Sequence, residues 1–358
     1  MIFNRLKDAQ ILQGGMGVAI SGWPLARAVS KLGQVGIVSG TGLGIYIPRL
    51  LQMGDPGGAI RRAKEHFPIP EMGHLIWDRY FVEGGKDPAK QFKSIPMPDH
   101  HPGPLMQAAL IFSNFVEVWL AKEGHDGVVG INYLEKLQSP HLYSLFGAIL
   151  AGVDFVIAGA GLAISFPDVL ERLSSFESAT YNLGVVNDDG PNFNYELEFN
   201  PASVMSEADF AALGVQRPAC LGIVSTAAAA KILHLKSETR FDGFVVEGPK
   251  AGGHNAPPRK SSLLNERGEP IYDMAGKDNP GLEEIRSLGL PFWLAGEQCG
   301  PAAFRQALEL GANGVQIGTA LSLCRESGHL TGTKLQSITE IQAGTYDVLT
   351  DPLASPSG

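Results

Sequence analysis

The residues best placed to do chemistry in this sequence lie in Glu247-Gly-Pro-Lys-Ala-Gly-Gly-His254-Asn-Ala-Pro-Pro-Arg259. One histidine follows a glycine run, which itself follows the apolar stretch Phe241-Asp-Gly-Phe-Val-Val246. An imidazole titrates near neutrality, so one presented there can take or give a proton at physiological pH. The glycines let the backbone turn sharply and let a flat ligand come close. The same string also fits a plain glycine-rich turn, and only the rest of the chain can decide.

Three further glycine-rich turns follow apolar runs: Gln13-Gly14-Gly15-Met16, Ala295-Gly296-Glu297-Gln298-Cys299-Gly300, and Gly318-Thr319-Ala320. Exposed amides in such turns bind phosphate without any net positive charge, and the Thr319 hydroxyl can add a donor. Gln13 and Asn132 close the first and third apolar runs and can supply amide groups to a polar ring edge. A phosphate cradle at Gly296–Gln298 and Gly318–Thr319, a backbone platform at Gly14–Met16 and the histidine together suit flavin mononucleotide (FMN). Cys299, Lys250, Arg259 and Tyr133 are weaker candidates, reading as a turn thiol, surface charges and packing. His100-His101 has no third ligand at metal spacing, and no metal site is expected.

Short apolar runs alternate with helical patterns along the chain. Predicted strands are 11–17, 34–39, 127–132, 153–158, 219–225, 241–246, 290–295 and 314–318. Helices are predicted around 23–32, 141–150, 227–233 and 301–310, with another starting at 167–173. Near-continuous apolar strands alternating with helices predict an α/β fold, a parallel (β/α)8 TIM barrel. A doubly wound open sheet is the alternative. The carboxyl ends of barrel strands are where such folds hold ligands, and the phosphate turns would follow strands seven and eight.

Two segments interrupt the alternation. Residues 45–124 carry a Pro- and His-rich patch and an amphipathic helix at 105–122, and read as a helical insertion or lid. Residues 177–216 contain a strand-turn-strand pattern, 180–186 and 193–199 around Asn187-Asp-Asp-Gly190, and read as a β-hairpin insertion. The FMN-binding barrel is thus expected to span 1–344. Residues 345–358 form an irregular tail without a closing element, as if the terminus were shortened.

Composition narrows the partners. The 358 residues carry a formal net charge of -9 and no Lys/Arg-rich block, which excludes a nucleic-acid role. The amino terminus lacks the order of a signal peptide. The most apolar stretch, 151–161, is too short to span a membrane. Three scattered cysteines argue against a disulfide framework, and a cytoplasmic protein is expected, with a homodimer open.

Jointly, Gln13-Gly-Gly-Met16, Gly130-Ile-Asn132, Glu247-Gly-Pro-Lys-Ala-Gly-Gly-His254 and Gly311-Ala-Asn-Gly-Val-Gln-Ile-Gly-Thr319 resemble the nitronate monooxygenase family, formerly 2-nitropropane dioxygenases. The resemblance also reaches flavin-dependent enoyl-ACP reductases. It implies an FMN-binding TIM barrel in which His254 is catalytic. It further implies flavin contacts from Gln13, Gly14, Gly15, Met16, Asn132, Gly252 and Gly253, and a phosphate cradle at Gly296, Gly318 and Thr319. The chain departs from the family pattern at Lys250 (usually Glu), at Glu297 (usually Gly), at Ala320 (usually Arg) and after His254. The activity implied is oxidation of alkyl nitronates or nitroalkanes with O2. The alternatives are an NAD(P)H-dependent enoyl-thioester reductase and a non-catalytic flavin-binding module.

Overall fold

The computed structural model describes residues 8–185, 193–254, 256–259 and 263–354. In chain order, β1 (Ile11–Gln13), α1 (Trp23–Lys31), β2 (Gly36–Ser39), α2 (Leu43–Gln52), α3 (Ala59–Lys64), α4 (Pro70–Tyr80) and α5 (Pro104–Lys122) come first. β3 (Val129–Leu134), α6 (His141–Leu150), β4 (Phe155–Gly159), α7 (Phe166–Ser174), β5 (Ala179–Val185), β6 (Phe193–Phe199) and α8 (Glu207–Ala212) follow. Then come β7 (Ala219–Val224), α9 (Ala227–Lys236), β8 (Gly243–Glu247), α10 (Leu282–Arg286) and β9 (Phe292–Ala295). α11 (Pro301–Glu309), β10 (Gly314–Ile317), α12 (Thr319–Ser322) and α13 (Thr331–Gln342) complete the series.

Eight strands form one parallel sheet in the order β1-β10-β9-β8-β7-β4-β3-β2. A parallel bridge between Leu12 and Val35 joins its two ends. Two backbone bonds support it, Gln13 N–H to Val35 O at 2.9 Å and Val35 N–H to Ile11 O at 3.1 Å. The sheet therefore closes, and the predicted (β/α)8 barrel holds over the open sheet. β5 and β6 pair antiparallel outside it, from Ala179 opposite Phe199 to Val185 opposite Phe193. The turn expected at 187–190 lies outside the described residues.

Side chains alternate along each strand, and the alternation sorts two cores. Leu12, Val35, Ile37, Phe155, Ile157, Leu221, Val245 and Trp293 fill the barrel interior. Val38, Ile131, Val156, Phe244 and Val246 point outward into the larger core under the helices. The Trp293 indole donates to Ala9 O at 2.9 Å, which satisfies that buried donor. Gly130 makes room for this filling, because a Cβ there would stand 2.3 Å from the Phe155 ring.

The segment 45–124 supplies α2 to α5. The expectation of an amphipathic helix at 105–122 is corrected. α5 buries residues on every side, from Met106 to Ala121, against α1, α2, α4 and α6. A helix surrounded by neighbours needs apolar residues all round. With a mean hydropathy of 1.3, it is long and apolar enough to cross a membrane, but 78% of that stretch is buried inside the protein.

Candidate active site

Inward-facing positions at the carboxyl ends of the strands meet around a cavity of about 740 Å³. Ser39, Asn132, Ile223, Glu247, Ala295 and Gln316 form its floor, one from each of β2, β3, β7, β8, β9 and β10. The alternation that puts Ile37, Val245 and Trp293 in the interior puts these residues, two positions on, at the mouth.

Most residues singled out in the sequence meet here. Gly14, Gly15, Met16, Asn132, Gly252, Gly253, His254, Gly296, Glu297, Gln298, Gly318 and Thr319 all line the one cavity. Gln13 does not. Leu12 faces the interior, so Gln13 must face the opposite way, and it is fully buried. Its amide donates to Ile37 O at 2.7 Å and Ser21 Oγ at 3.0 Å, and its Oε1 accepts from Ile37 N–H at 3.2 Å. Both ends of the amide are spent on the wall of the barrel.

The small residues are required by contact. A Cβ on Gly15 would lie 2.4 Å from the Asn132 Cβ, and one on Gly14 would lie 3.0 Å from the Gly318 Cα. Gly296 has φ +94° and leaves only 2.9 Å between a Cβ and Ala251 N. Glu297 has a left-handed backbone, at φ +54°. α12 has no side chain capping its amino end, so the amides beside Gly318, which lines the cavity, stay available to a ligand. The Gln316 Oε1 is buried without a partner among the described residues. An orphaned acceptor, a glycine platform and uncapped amides are what a flat, phosphate-bearing ligand would satisfy.

His254 is exposed on the loop after β8. Partial desolvation, and then the Lys136 ammonium, hold its imidazole below the usual range, which favours the neutral ring. Burial pushes the Glu247 carboxyl up to about 7. Lys250 lines the mouth with its Nζ 3.9 Å from Asp347 Oδ1. Asp347 also pairs with Arg267.

Sequence reading missed part of the lining. Ser39, Glu247 and Gln316 sit inside strands, and only the inward phase shared with Ile37, Val245 and Leu12 could have marked them. Tyr346, Asp347 and Val348 reach the mouth from the tail, held by Arg267 and by Thr350 N–H donating to Glu269 Oε1 at 3.3 Å. No spacing signals that contact. None of residues 45–124 lines the cavity, although Thr41, shortly before that segment, does.

The weaker candidates separate cleanly. Cys299 lines the cavity and is exposed. Tyr133 turns its hydroxyl outward to Asn114 Oδ1 at 2.8 Å and Ser144 O at 3.1 Å, which is packing. The His100 ring lies tilted against His101 and Tyr195, and no cluster of metal-binding side chains occurs among the described residues.

A closed parallel barrel whose glycine-rich mouth is lined by His254 and His329 defines the class: a (β/α)8 barrel with a cavity at its carboxyl edge. Within that class, residues 199–346 match the family model described as nitronate monooxygenase. The resemblance read from the sequence is borne out over this segment, which contains His254, Gly296 and Gly318 but neither Gly14–Met16 nor Asn132. A probable nitronate monooxygenase of Bacillus subtilis (strain 168) is 30% identical over 105 residues. That match covers 29% of this chain and 28% of the relative, so it spans little more than a quarter of either. A FabK variant from Thermotoga maritima shares the fold, with a TM-score of 0.51 at 16% identity over 94% of this chain and 70% of its own. Nitroalkane oxidase from Streptomyces ansochromogenes aligns at a TM-score of 0.46 and 15% identity, over 94% of this chain and 72% of its own.

Proposed function

We propose that this protein is an FMN-dependent oxidoreductase that oxidises alkyl nitronates or nitroalkanes with O2. The observation that carries the reading is the convergence of His254, the Gly14–Met16 platform and the Gly296–Gln298 and Gly318–Thr319 turns on one cavity. The match of residues 199–346 to the nitronate monooxygenase family supports it. Gly14, Gly15 and Met16 would lie under the ring, and the amides at Gly296, Gly318 and Thr319 would take the phosphate. FMN supplies electron acceptance, which no side chain in the mouth can provide.

The chain's own residues do the rest. A neutral His254 can hydrogen-bond a nitronate oxygen, or take the proton from the carbon next to a nitro group. Lys250, beside Asp347 in the lining, and Lys136, close enough to act on His254, are the cations that would meet an anionic substrate. Ile223 and Ala295 keep part of the floor apolar.

The test begins with the visible spectrum of the purified protein and the mass of the released cofactor. Flavin absorption with the mass of FMN is expected. Anaerobic mixing then separates the reactions. Bleaching by a nitronate and not by NADPH is expected; rapid bleaching by NADPH alone would instead favour an enoyl-thioester reductase. A colourless protein that binds no FMN would overturn the proposal.

A further inference from the structure

We propose that residues 345–350 form an ionic strap across the cavity mouth, held in place by Lys250, Asp347 and Arg267, whose release lets the bound ligand exchange. This rests on the flavin reading above for the identity of the ligand and adds to it the element that controls entry.

One end of the strap is a hinge. It leaves α13 at Gly344, whose φ of +69° turns the chain sharply. Thr345 N–H and Tyr346 N–H donate to Glu340 O at 2.9 and 3.2 Å, which closes the last turn of the helix. α13 itself buries none of its residues, so packing does little to hold the arm that carries the strap. Lys334 Nζ ties that arm to Ser327 O at 2.8 Å and to Arg325 O at 3.1 Å. Beyond the hinge, Tyr346, Asp347 and Val348 all line the mouth. Residues 45–124, the lid expected from the sequence, contribute no lining residue.

The other end is held by charge. Asp347 pairs with Arg267 through Oδ2, and its Oδ1 stands 3.9 Å from Lys250 Nζ. Arg267 also stands 3.7 Å from Glu269 Oε2, and Glu269 Oε1 accepts from Thr350 N–H at 3.3 Å. Residues 267 and 269 thus hold residues 347 and 350, in a row of alternating sign that runs from Lys250 to Glu269. The turn that does the holding is itself braced, because Asn265 Oδ1 accepts from Arg267 N–H at 2.8 Å and from Glu269 N–H at 2.9 Å. Lys250 lies four residues before His254, so the strap is joined to the loop that carries the histidine.

The kind of contact decides the behaviour. The side chains of Arg267, Asp347 and Lys250 are 52%, 44% and 44% exposed, so each pair is weak by itself and open to salt. The distance over which such charges act shrinks from about 30 Å at 0.01 M salt to about 3 Å at 1 M. A segment with a glycine hinge, little packing and exposed charges can open without disturbing the barrel behind it.

Hydrogen exchange and ligand release test the strap together. Riboflavin is the probe, because it carries no charge for salt to screen. In the wild type, raising NaCl from about 20 mM to about 1 M should speed both exchange of the Thr350 amide and riboflavin release by about threefold or more. Asp347→Asn should show that faster exchange and release already at low salt, and lose the response to salt. Arg267→Gln should do the same in smaller measure, since Lys250 remains. Asp347→Glu, which keeps the charge, should retain the wild-type response, an outcome that a role in shape alone does not predict. Equal Thr350 exchange in wild type and Asp347→Asn overturns the strap. Altered exchange with unchanged riboflavin release overturns its control of entry, and both results leave the flavin reading intact. Failure of both FMN and riboflavin to bind the wild type overturns both proposals.

Discussion

The wall of the barrel is thick on one side and thin on the other. Between β2 and β4, α5 buries 14 of its 19 residues and α6 buries all ten. From β9 onward, α11 buries only Ala307, α12 only Ser322, and α13 nothing. The family match begins at 199 and runs through the thin side, where the loops carry His254 and the Gly296 and Gly318 turns. The dense helix packing thus lies on one arc of the cylinder and the loops around His254, Gly296 and Gly318 on the other, with Ser39 and Asn132 reaching the cavity from the thick side. Loops that must admit a ligand are drawn from the less stable part of a fold.

The comparison can be broken by mutation, beginning with the thick side. Phe146 is fully buried in α6 and contacts Phe199 and Phe210. Phe146→Ala should cost about 3–5 kcal/mol by denaturant melting, through lost contacts and a cavity. A cost below about 1 kcal/mol would show that the thick arc does not carry the fold. On the thin side, His254→Asn should do the reverse. Turnover should drop about 100-fold, the low end for a lost acid–base group, while the denaturant midpoint stays within about 0.5 kcal/mol of wild type. Unchanged turnover would remove His254 from the chemistry.

A pH series sharpens the same contrast. Glu117 lies in the middle of α5, and burial pushes its carboxyl up to about 7. Its Oε1 accepts from Trp23 N–H at 2.7 Å, while Oε2 has no partner among the described residues. The folded state holds its proton more tightly than the unfolded chain does, so stability from this site falls as pH rises from the ordinary carboxylate range through 7. Glu117→Gln keeps the acceptor and cannot ionise. It should stabilise by on the order of 2 kcal/mol at pH 8 and change little at pH 4. Equal effects at the two pH values would contradict this. Smaller again, Glu297→Gly relieves a left-handed backbone at φ +54° and should raise stability by about 1 kcal/mol. Last, Leu335→Ser on α13 should shift the melt by less than about 0.5 kcal/mol, since that leucine is already 60% exposed.

Much of this was legible in the residues. Seven of the eight barrel strands fall within two residues of their apolar runs, because a strand buried on both faces leaves an unbroken hydrophobic record; β1 stops at Gln13, and the rest of the run 11–17 is its turn. The glycine turns were legible because close approach and left-handed φ leave few other choices, as at Gly15 and Gly296. Gln13 was misread because the ends of short strands do not declare which way they face until Leu12 is known to point inward. α5 was misread because its polar residues, Asn114 and Glu117, are buried and suggested an exposed face. Glu247 stood in the quoted motif as a flank to the glycines, and only its register with Ala295 brings it to the floor. The tail at Tyr346–Val348 joins the mouth through ion pairs across the fold, which local sequence does not encode.

The displaced Gln13 turns out to matter for a different reason. β1 is three residues long, and the cylinder shuts there along one bridge. By giving a donor to Ile37 O and an acceptor to Ile37 N–H, the Gln13 amide imitates a peptide unit and adds a rung where the ladder is shortest. The hoop is fastened by a side chain. Any loosening of that clasp would reach the Gly14–Met16 platform immediately beyond it, so the grip on a ligand and the seam of the barrel are mechanically one structure.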